Sequence, residues 1–64
     1  ITNTPVSFKN QGISNGDIGK KLGAFQVYEN AMIFGILREG ELMLAHPNIQ
    51  LEKDDELVIA EKVT

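Results

Sequence analysis

The pattern of hydrophobic and polar positions divides this chain into a sparse first half and an apolar second half. Between Val6 and Lys9 apolar and polar residues alternate, which is typical of a strand with one solvated face. Pro5, directly before this stretch, suits a strand start. Residues 10–17 are mostly turn-formers and interrupt the alternation. The pattern predicts a first strand from Val6, followed by a turn.

After this turn the apolar residues follow a helical spacing. Three of them recur at i, i+4 and i+7: Ile18, Leu22 and Phe25. They would form one apolar stripe on a helix. Asn15 or Asp17 would cap this helix, and the Asp17 carboxylate would lie near the positive end of its dipole. Because Gly19 and Gly23 lower the helix propensity, we predict a short helix that depends on packing.

The second half of the chain predicts a hairpin and a final strand. Two apolar runs, residues 31–37 and 42–45, are joined by a short polar segment with a glycine, which favours a β-hairpin. Pro47 ends the second run because proline lacks the N–H that a ladder needs. A charged turn at residues 53–55 leads to a last strand at residues 57–60. The predicted fold is therefore α+β, a small β-α-β-β-β domain with a mostly antiparallel sheet and one short helix.

The last three predicted strands are apolar on both faces. Met32, Phe34 and Ile36 would occupy one face of the first of them, and Ala31, Ile33 and Leu37 the other. A sheet with one solvated face should alternate apolar and polar residues instead, and one short helix covers one face only. Loops and the N-terminal segment could wrap over the second face. We favour a partner sheet from a second copy, or a neighbouring domain, because large apolar patches mark interaction sites.

Length and composition narrow the classes of function. The 64 residues allow one domain, with an ordered part of about residues 6–62, and the first residue, Ile1, suggests a fragment of a longer protein. A net charge of −3 with scattered basic residues argues against a nucleic-acid interface. The absence of cysteine excludes disulfides and thiolate metal sites. No apolar run approaches the roughly 18 residues of a membrane span.

The chemistry of an enzyme is not visible in the sequence. The acidic residues around 39–41 and 52–56 lie in predicted turns beside basic ones, as expected of a solvated rim. Ser7 and Ser14 have no histidine nearby in sequence, and the two glycines between residues 12 and 16 lack the lysine of a phosphate-binding loop. We therefore assign no catalytic residue, no metal ligand and no certain cofactor, and we predict that the chain is not an enzyme.

Two side chains leave alternatives open. His46, at the end of a predicted strand, is either a rim histidine or a ligand contact whose imidazole stacks on or hydrogen-bonds to a small molecule. Arg38, at the hairpin, either forms a surface ion pair with Glu39 or Glu41, or binds an anion through its guanidinium.

The order of several short motifs resembles the TrkA-C domain, also called the RCK C-terminal domain. The resemblance covers about residues 6–62. Its motifs are Gly19-Lys20-Lys21-Leu22, the stretch from Tyr28 to Arg38, Glu39-Gly40, Pro47, and the stretch from Leu51 to Ile59. The family implies a β-α-β-β-β regulatory subdomain of potassium channels, potassium uptake systems and cation antiporters. It also implies a cytoplasmic location, attached to or associated with an inner-membrane transporter.

The resemblance further implies a homodimer whose cleft binds a small regulator in some members, such as cyclic di-AMP or a divalent cation. By position it indicates Met32, Ile33 and Phe34 on the first hairpin strand, and His46 and Pro47 after the second, with Arg38 as the candidate anion contact. The predicted function is thus a ligand-binding and dimerisation module that couples ligand occupancy to transport. The alternative is a purely structural dimerisation domain, without ligand, on an antiporter or chloride-channel-type transporter.

Overall fold

A four-stranded antiparallel sheet forms the framework of the protein. The computed structural model describes residues 5–25 and 29–63, so Tyr28 lies outside the described residues. The strands are β1 (Val6–Gly12), β2 (Ala31–Arg38), β3 (Glu41–Leu44) and β4 (Glu56–Lys62), in the spatial order β1-β4-β2-β3. The predicted antiparallel sheet is confirmed. The last strand of the chain lies in its interior, between β1 and β2.

Strand β1 is longer than predicted. Asn10 and Gln11, which we expected in a turn, pair with Val58 and Leu57 of β4. Because β4 begins at Glu56, it offers ladder partners to β1 as far as Gly12, and these bonds outweigh the turn preference of Asn and Gly.

The predicted hairpin is formed by β2 and β3. Its loop is Glu39-Gly40, and both residues have a positive φ, 51° and 79°, as in the two-residue turns that match the twist of a hairpin. Within β2 the register shifts between Ile33 and Gly35, which marks a β-bulge. At Gly35 an added Cβ would lie 2.3 Å from the Met43 carbonyl oxygen, so the close approach of β3 requires glycine there.

The predicted helix is wrong. The residues that would carry it form two separate 3-10 turns, Asn15–Asp17 and Leu22–Ala24. Between them Gly19 adopts a φ of +89°, which a right-handed helix does not allow. The asparagine and aspartate do not cap a helix either, since the Asp17 carboxylate accepts hydrogen bonds from the backbone and side chain of Ser14.

Hydrogen bonds to a second segment explain why no helix forms. We call residues 13–25 the strap. Its backbone N–H groups donate to carbonyl oxygens of residues 47–51: Gly19 to Leu51 at 2.8 Å, Leu22 to Ile49 at 2.8 Å, and Gly23 to Pro47 at 3.0 Å. These hydrogen bonds satisfy the backbone N–H groups of the strap as well as helical bonds would, and they hold the strap against the sheet.

The strap and residues 47–51 cover one face of the sheet, which we call the covered face. Its core consists of Leu22, Ile36, Leu51, Leu57 and Ile59, all buried. Of the apolar stripe predicted for the helix, Leu22 is buried, Phe25 is half-buried and Ile18 is exposed. The stripe therefore identified one core residue, although its residues are not helical.

The opposite face of the sheet is apolar and exposed, and we call it the open face. Its exposed apolar side chains are Val6, Phe8, Met32, Phe34, Leu42 and Leu44. They surround Val58 and Ala60 of β4, and four of them are more than half accessible: Val6 at 51%, Phe8 at 59%, Met32 at 58% and Leu44 at 68%. The prediction that both faces are apolar is confirmed, but the placement of Ile36 beside Met32 and Phe34 is wrong, because the bulge in β2 moves Ile36 to the covered face. None of the described segments lies over the open face.

Candidate functional site

A shallow cavity at one edge of the sheet brings together most of the predicted ligand-binding residues. Its volume is ≈ 260 Å³, and the lining consists of Leu22, Gly23, Phe25, Met32, Ile33, Ala45, His46 and Pro47. Four of the six predicted residues, Met32, Ile33, His46 and Pro47, are among them. The sequence interpretation missed the strap residues, because it placed them on a helix.

The strap forms one wall of this cavity through a close contact with Pro47. The Gly23 N–H donates to the Pro47 carbonyl oxygen at 3.0 Å. A Cβ on Gly23 would lie 2.9 Å from the Pro47 Cβ, a separation that would force the two segments apart. The glycine therefore sets the distance between the strap and the loop that carries His46.

His46 supplies the polar side chain among the lining residues. Its Nδ1 accepts a hydrogen bond from the Asn48 backbone N–H at 3.2 Å, so in the neutral imidazole the proton is assigned to Nε2. The Nε2–H is then the donor left for solvent or a ligand. Apolar walls with one imidazole donor suit the flat, weakly polar part of a small molecule.

Phe34 does not reach the cavity. The β-bulge next to it places its ring on the open face, where the ring centroid lies 5.3 Å from that of Phe8 at an interplanar angle of 72°. This is an edge-to-face aromatic pair, and it spans the sheet across β4.

Arg38 lies away from the cavity, in a cluster that we call the clamp (Arg38, Gln50, Glu52 and Asp55). The guanidinium donates to both Asp55 carboxylate oxygens, through Nε at 3.0 Å and Nη2 at 2.8 Å, and to the Gln50 carbonyl oxygen at 2.9 Å. Its Nη1 lies 3.1 Å from the Glu52 carboxylate. The surface ion pair expected with Glu39 or Glu41 is replaced by these partners.

Asp55 corrects the expectation of a solvated acidic rim. Asp55 is 2% exposed. Besides the bonds from Arg38, its carboxylate accepts a hydrogen bond from the Glu52 backbone N–H at 2.8 Å. Hydrogen bonding from Arg38 lowers the pKa of Asp55 below its ordinary value, and it outweighs burial, which acts in the opposite direction. The sequence carried a signal for this position, because Asp55 precedes Leu57 and Ile59 at a period of two, on the covered face.

The clamp is poorly suited to bind an anion. The guanidinium already faces two carboxylates, and the adjacent cavity of ≈ 400 Å³ is also lined by Glu39, Asp54 and Glu56. An anion there would meet more negative than positive charge. In residues 5–25 and 29–63 no group of three or more metal-ligating side chains is placed to hold a metal ion.

Comparison of the chain with models of known protein families and with curated proteins gives no match. The TrkA-C resemblance therefore stays a prediction from the residues. Across the same described ranges, no helix has the length and apolar character needed to cross a membrane.

Proposed function

We propose that this chain is a cytoplasmic regulatory module of a cation channel or transporter, with potassium as the ion that the TrkA-C resemblance favours. It acts as a homodimer and binds a small ligand beside the dimer interface. The transporter part rests on the resemblance alone. The dimer rests on one observation, the uncovered apolar open face.

The size of the open face supports a protein partner. Its six exposed side chains present roughly 600 Å², at the upper end of the apolar patches found on monomers. A standard interface takes about 800 Å² from each partner, and somewhat more than half of that area is apolar. A second copy would supply a matching patch by symmetry. It would also support a domain whose core is small for independent stability.

Met32 connects the partner surface with the ligand cavity. Its side chain belongs to the open face and also lines the cavity. A ligand beside His46 and a second copy on the open face would therefore contact the same side chain. A ligand that fits one dimer geometry better than another shifts the population toward that geometry, and the transporter responds only by this difference in affinity.

Calorimetric titration tests the ligand-binding part of the proposal. The dimeric protein would be titrated with cyclic di-AMP, and separately with Mg²⁺ and Ca²⁺. We expect heat from at least one of them, and a weaker affinity in His46→Ala. Ser7→Ala is the control, because Ser7 is exposed, pairs with Glu61 on the side opposite the open face and lies outside the cavity lining. The absence of heat with all three would refute binding of these regulators and leave the purely structural dimerisation domain.

That second function is favoured by the shape of the cavity. It is shallow, and His46 supplies its one polar side chain, whereas ligand sites commonly converge several polar groups on their ligand. In this alternative the open face joins two copies of an antiporter or a chloride-channel-type transporter and nothing binds at the cavity.

A further inference from the structure

The apolar residues of the open face follow a diagonal line across the sheet, which we call the midline. It begins at Val6 of β1, which lies level with Lys62 of β4. It ends at Leu42 of β3, which lies level, through β2, with Glu56 at the other end of β4. The midline therefore advances about 20 Å along the strands while it crosses three strand spacings, about 14 Å. It passes over Ala60 and makes an angle of about 35° with the strands.

The residues beside the midline match one another across it. At the spacing and rise of a regular sheet, each residue about 4 Å to one side has a counterpart about 4 Å to the other side, displaced by about 2 to 3 Å along the line. The registers of the strands give three such pairs: Lys62 and Phe8, Met32 and Val58, and Leu44 and Leu37. Apart from Lys62, these residues are apolar. The open face is therefore close to its own mirror image about the midline.

A two-fold axis along the midline makes use of this match. Rotation by 180° about an axis in the plane of the face keeps the position of each residue along the axis and exchanges the two sides. The two members of each pair then meet across the interface, and residues on the axis, such as Val6 and Leu42, meet their own copies. Because the strands make an angle of about 35° with the axis, the two sheets cross at about 70°, near the orthogonal class of sheet packing.

We infer that a second copy packs on the open face about this axis, so that the Lys62 ammonium of each copy lies on the Phe8 ring of the other. This inference rests on the proposed dimer and specifies its geometry. The occupant is a second copy because the open face supplies both members of each contact, as well as an apolar area of the size that a stable dimer needs. Phe8 is 59% exposed, and an accessible ring attracts a cation to its face.

A two-fold axis across the midline gives a poorer fit. It exchanges the two ends of the face and keeps each residue on its own side. Lys62 would then lie on Leu44 of the other copy, where its charge loses water and gains no attraction. With the axis along the midline the same charge meets an aromatic ring, and Glu56 lies beyond β3 of the other copy, where it stays solvated.

The same axis brings a polar group of the second copy to the ligand cavity. Asn10 lies about 8 Å from the midline on one side. His46 lies about 8 Å from it on the other side, because the chain continues beside β2 after β3, where the Ala45 N–H donates to the Phe34 carbonyl oxygen. The Asn10 amide, which both donates and accepts hydrogen bonds, therefore faces His46 of the other copy. In this arrangement the second copy adds a polar side chain to the cavity.

Single cysteines test this geometry on the intact chain, which contains no cysteine of its own. A short bismaleimide reagent joins two thiols only where they lie close together. Leu42→Cys should give a covalent dimer in high yield, because Leu42 meets its own copy on the axis. Glu41→Cys is the matched control, since Glu41 is exposed and pairs with Arg38 on the opposite face. Its yield, measured on the same denaturing gel, should stay at the level of random collision.

Two further sets of variants test the contacts beside the axis. Asn10→Cys should not crosslink to its own copy, but it should join His46→Cys when the two variants are mixed. Lys62→Gln should raise the dimer dissociation constant, measured by sedimentation equilibrium, about tenfold, because two cation–π contacts are lost. Lys62→Arg keeps the cation and should leave the constant within about threefold of the original. Circular dichroism verifies that every variant is folded.

The outcomes separate the geometry from the dimer itself. The axis along the midline would be overturned, while the proposed dimer stands, if Leu42→Cys crosslinked no more than Glu41→Cys or if Asn10→Cys crosslinked to its own copy. A dimer of Lys62→Gln as tight as the wild type would overturn it as well. A wild-type chain that stays monomeric would instead refute the dimer.

Discussion

The two faces of this sheet start from the same kind of sequence and end in opposite environments. On the covered face Ile36, Leu51 and Leu57 are buried, whereas on the open face Phe8, Met32 and Leu44 are more than half accessible. Strands β2 and β4 carry apolar residues on both faces, so the sequence pattern does not distinguish the two faces. The difference lies in the connections, since the strap and residues 47–51 both lie on one side.

Burial on the covered face is fixed by hydrogen bonds as much as by apolar contact. The strap is held by backbone bonds to residues 47–51, and Arg38 ties Asp55 and Gln50 to β2. Among residues 5–25 and 29–63, the open face is held by side-chain contacts within the sheet, such as the Phe8–Phe34 ring pair. One face is therefore covered by the chain's own segments, and we propose that a second copy covers the other.

The largest expected contrast comes from truncating one residue on each face. Ile36→Ala should cost about 3 to 4 kcal/mol of unfolding free energy, because it leaves a cavity in the core. A domain of this size has about 3 to 5 kcal/mol in total, so the variant should be largely unfolded. Leu44→Ala should cost less than about 0.5 kcal/mol in the monomer. Urea denaturation at a concentration below dimer formation measures both, and equal losses would contradict the division of roles.

Removing the clamp carboxylate should give the next largest effect. Asp55→Asn replaces charge-assisted bonds to Arg38 and should cost about 2 to 3 kcal/mol. The control is Asp54→Asn, since Asp54 is exposed with a φ of 69° and asparagine tolerates that conformation. Chemical denaturation should leave the control near the original stability. If Asp54→Asn lost as much unfolding free energy as Asp55→Asn, the clamp would not be the cause of the loss.

The same clamp predicts a pH dependence with a definite sign. The folded protein holds the pKa of Asp55 below its ordinary value of 3.8. The stabilisation is therefore present above that ordinary value and is lost as the pH falls through the folded pKa. The unfolding free energy should decline below about pH 5, and Asp55→Asn should remove part of this slope. An identical acid slope in that variant would contradict the assignment.

A substitution at the β2–β3 contact should have an intermediate effect. Gly35→Ala would place a Cβ 2.3 Å from the Met43 carbonyl oxygen, so the strands must separate, at a cost of about 1 to 3 kcal/mol. Gly12→Ala is the control, because a Cβ there meets nothing within 4 Å. Thermal melts of the two variants should differ by several degrees. Similar melting temperatures would show that β3 yields without cost.

The smallest expected effect is a stabilisation at the hairpin. Glu39 has a φ of 51° before Gly40, and Asn-Gly is the preferred pair for a two-residue turn with both φ positive. Glu39→Asn should add about 0.5 kcal/mol, measured by urea denaturation. Glu39→Val, β-branched and unsuited to this conformation, should destabilise the hairpin. The opposite order would contradict the turn geometry.

The sheet could be predicted from the sequence because its signals are local. Alternation, the glycine-containing hairpin and Pro47 each predicted features that the structure contains. The helix prediction was wrong because the segment forms hydrogen bonds to residues 47–51 instead. Hydrogen bonds between segments distant in sequence cannot be read from the local spacing of apolar residues. The spacing of Asp55 from Leu57 indicates that it lies on the covered face. Its partner Arg38 lies 17 positions away, so their ion pair could not be predicted from the spacing.

The candidate site was predicted in part for the same reason. Met32, Ile33, His46 and Pro47, which the resemblance indicated by position, line one cavity, and their role in a dimer cleft stays a prediction. Phe34 departs from it because of a bulge in β2, and Arg38 because of a long-range ion pair. Neither a bulge nor a distant partner can be inferred from the apolar pattern, which records only which residues avoid water.

The molar mass of the chain in solution tests the central claim, that a second copy covers the open face, most directly. Sedimentation equilibrium should give twice the monomer mass of 7.1 kDa, and Phe34→Asp should return the mass to that of a folded monomer, because the dimer would bury unpaired carboxylates. A wild-type chain that remains at 7.1 kDa at about millimolar concentration, where even weak specific pairs associate, would contradict the account.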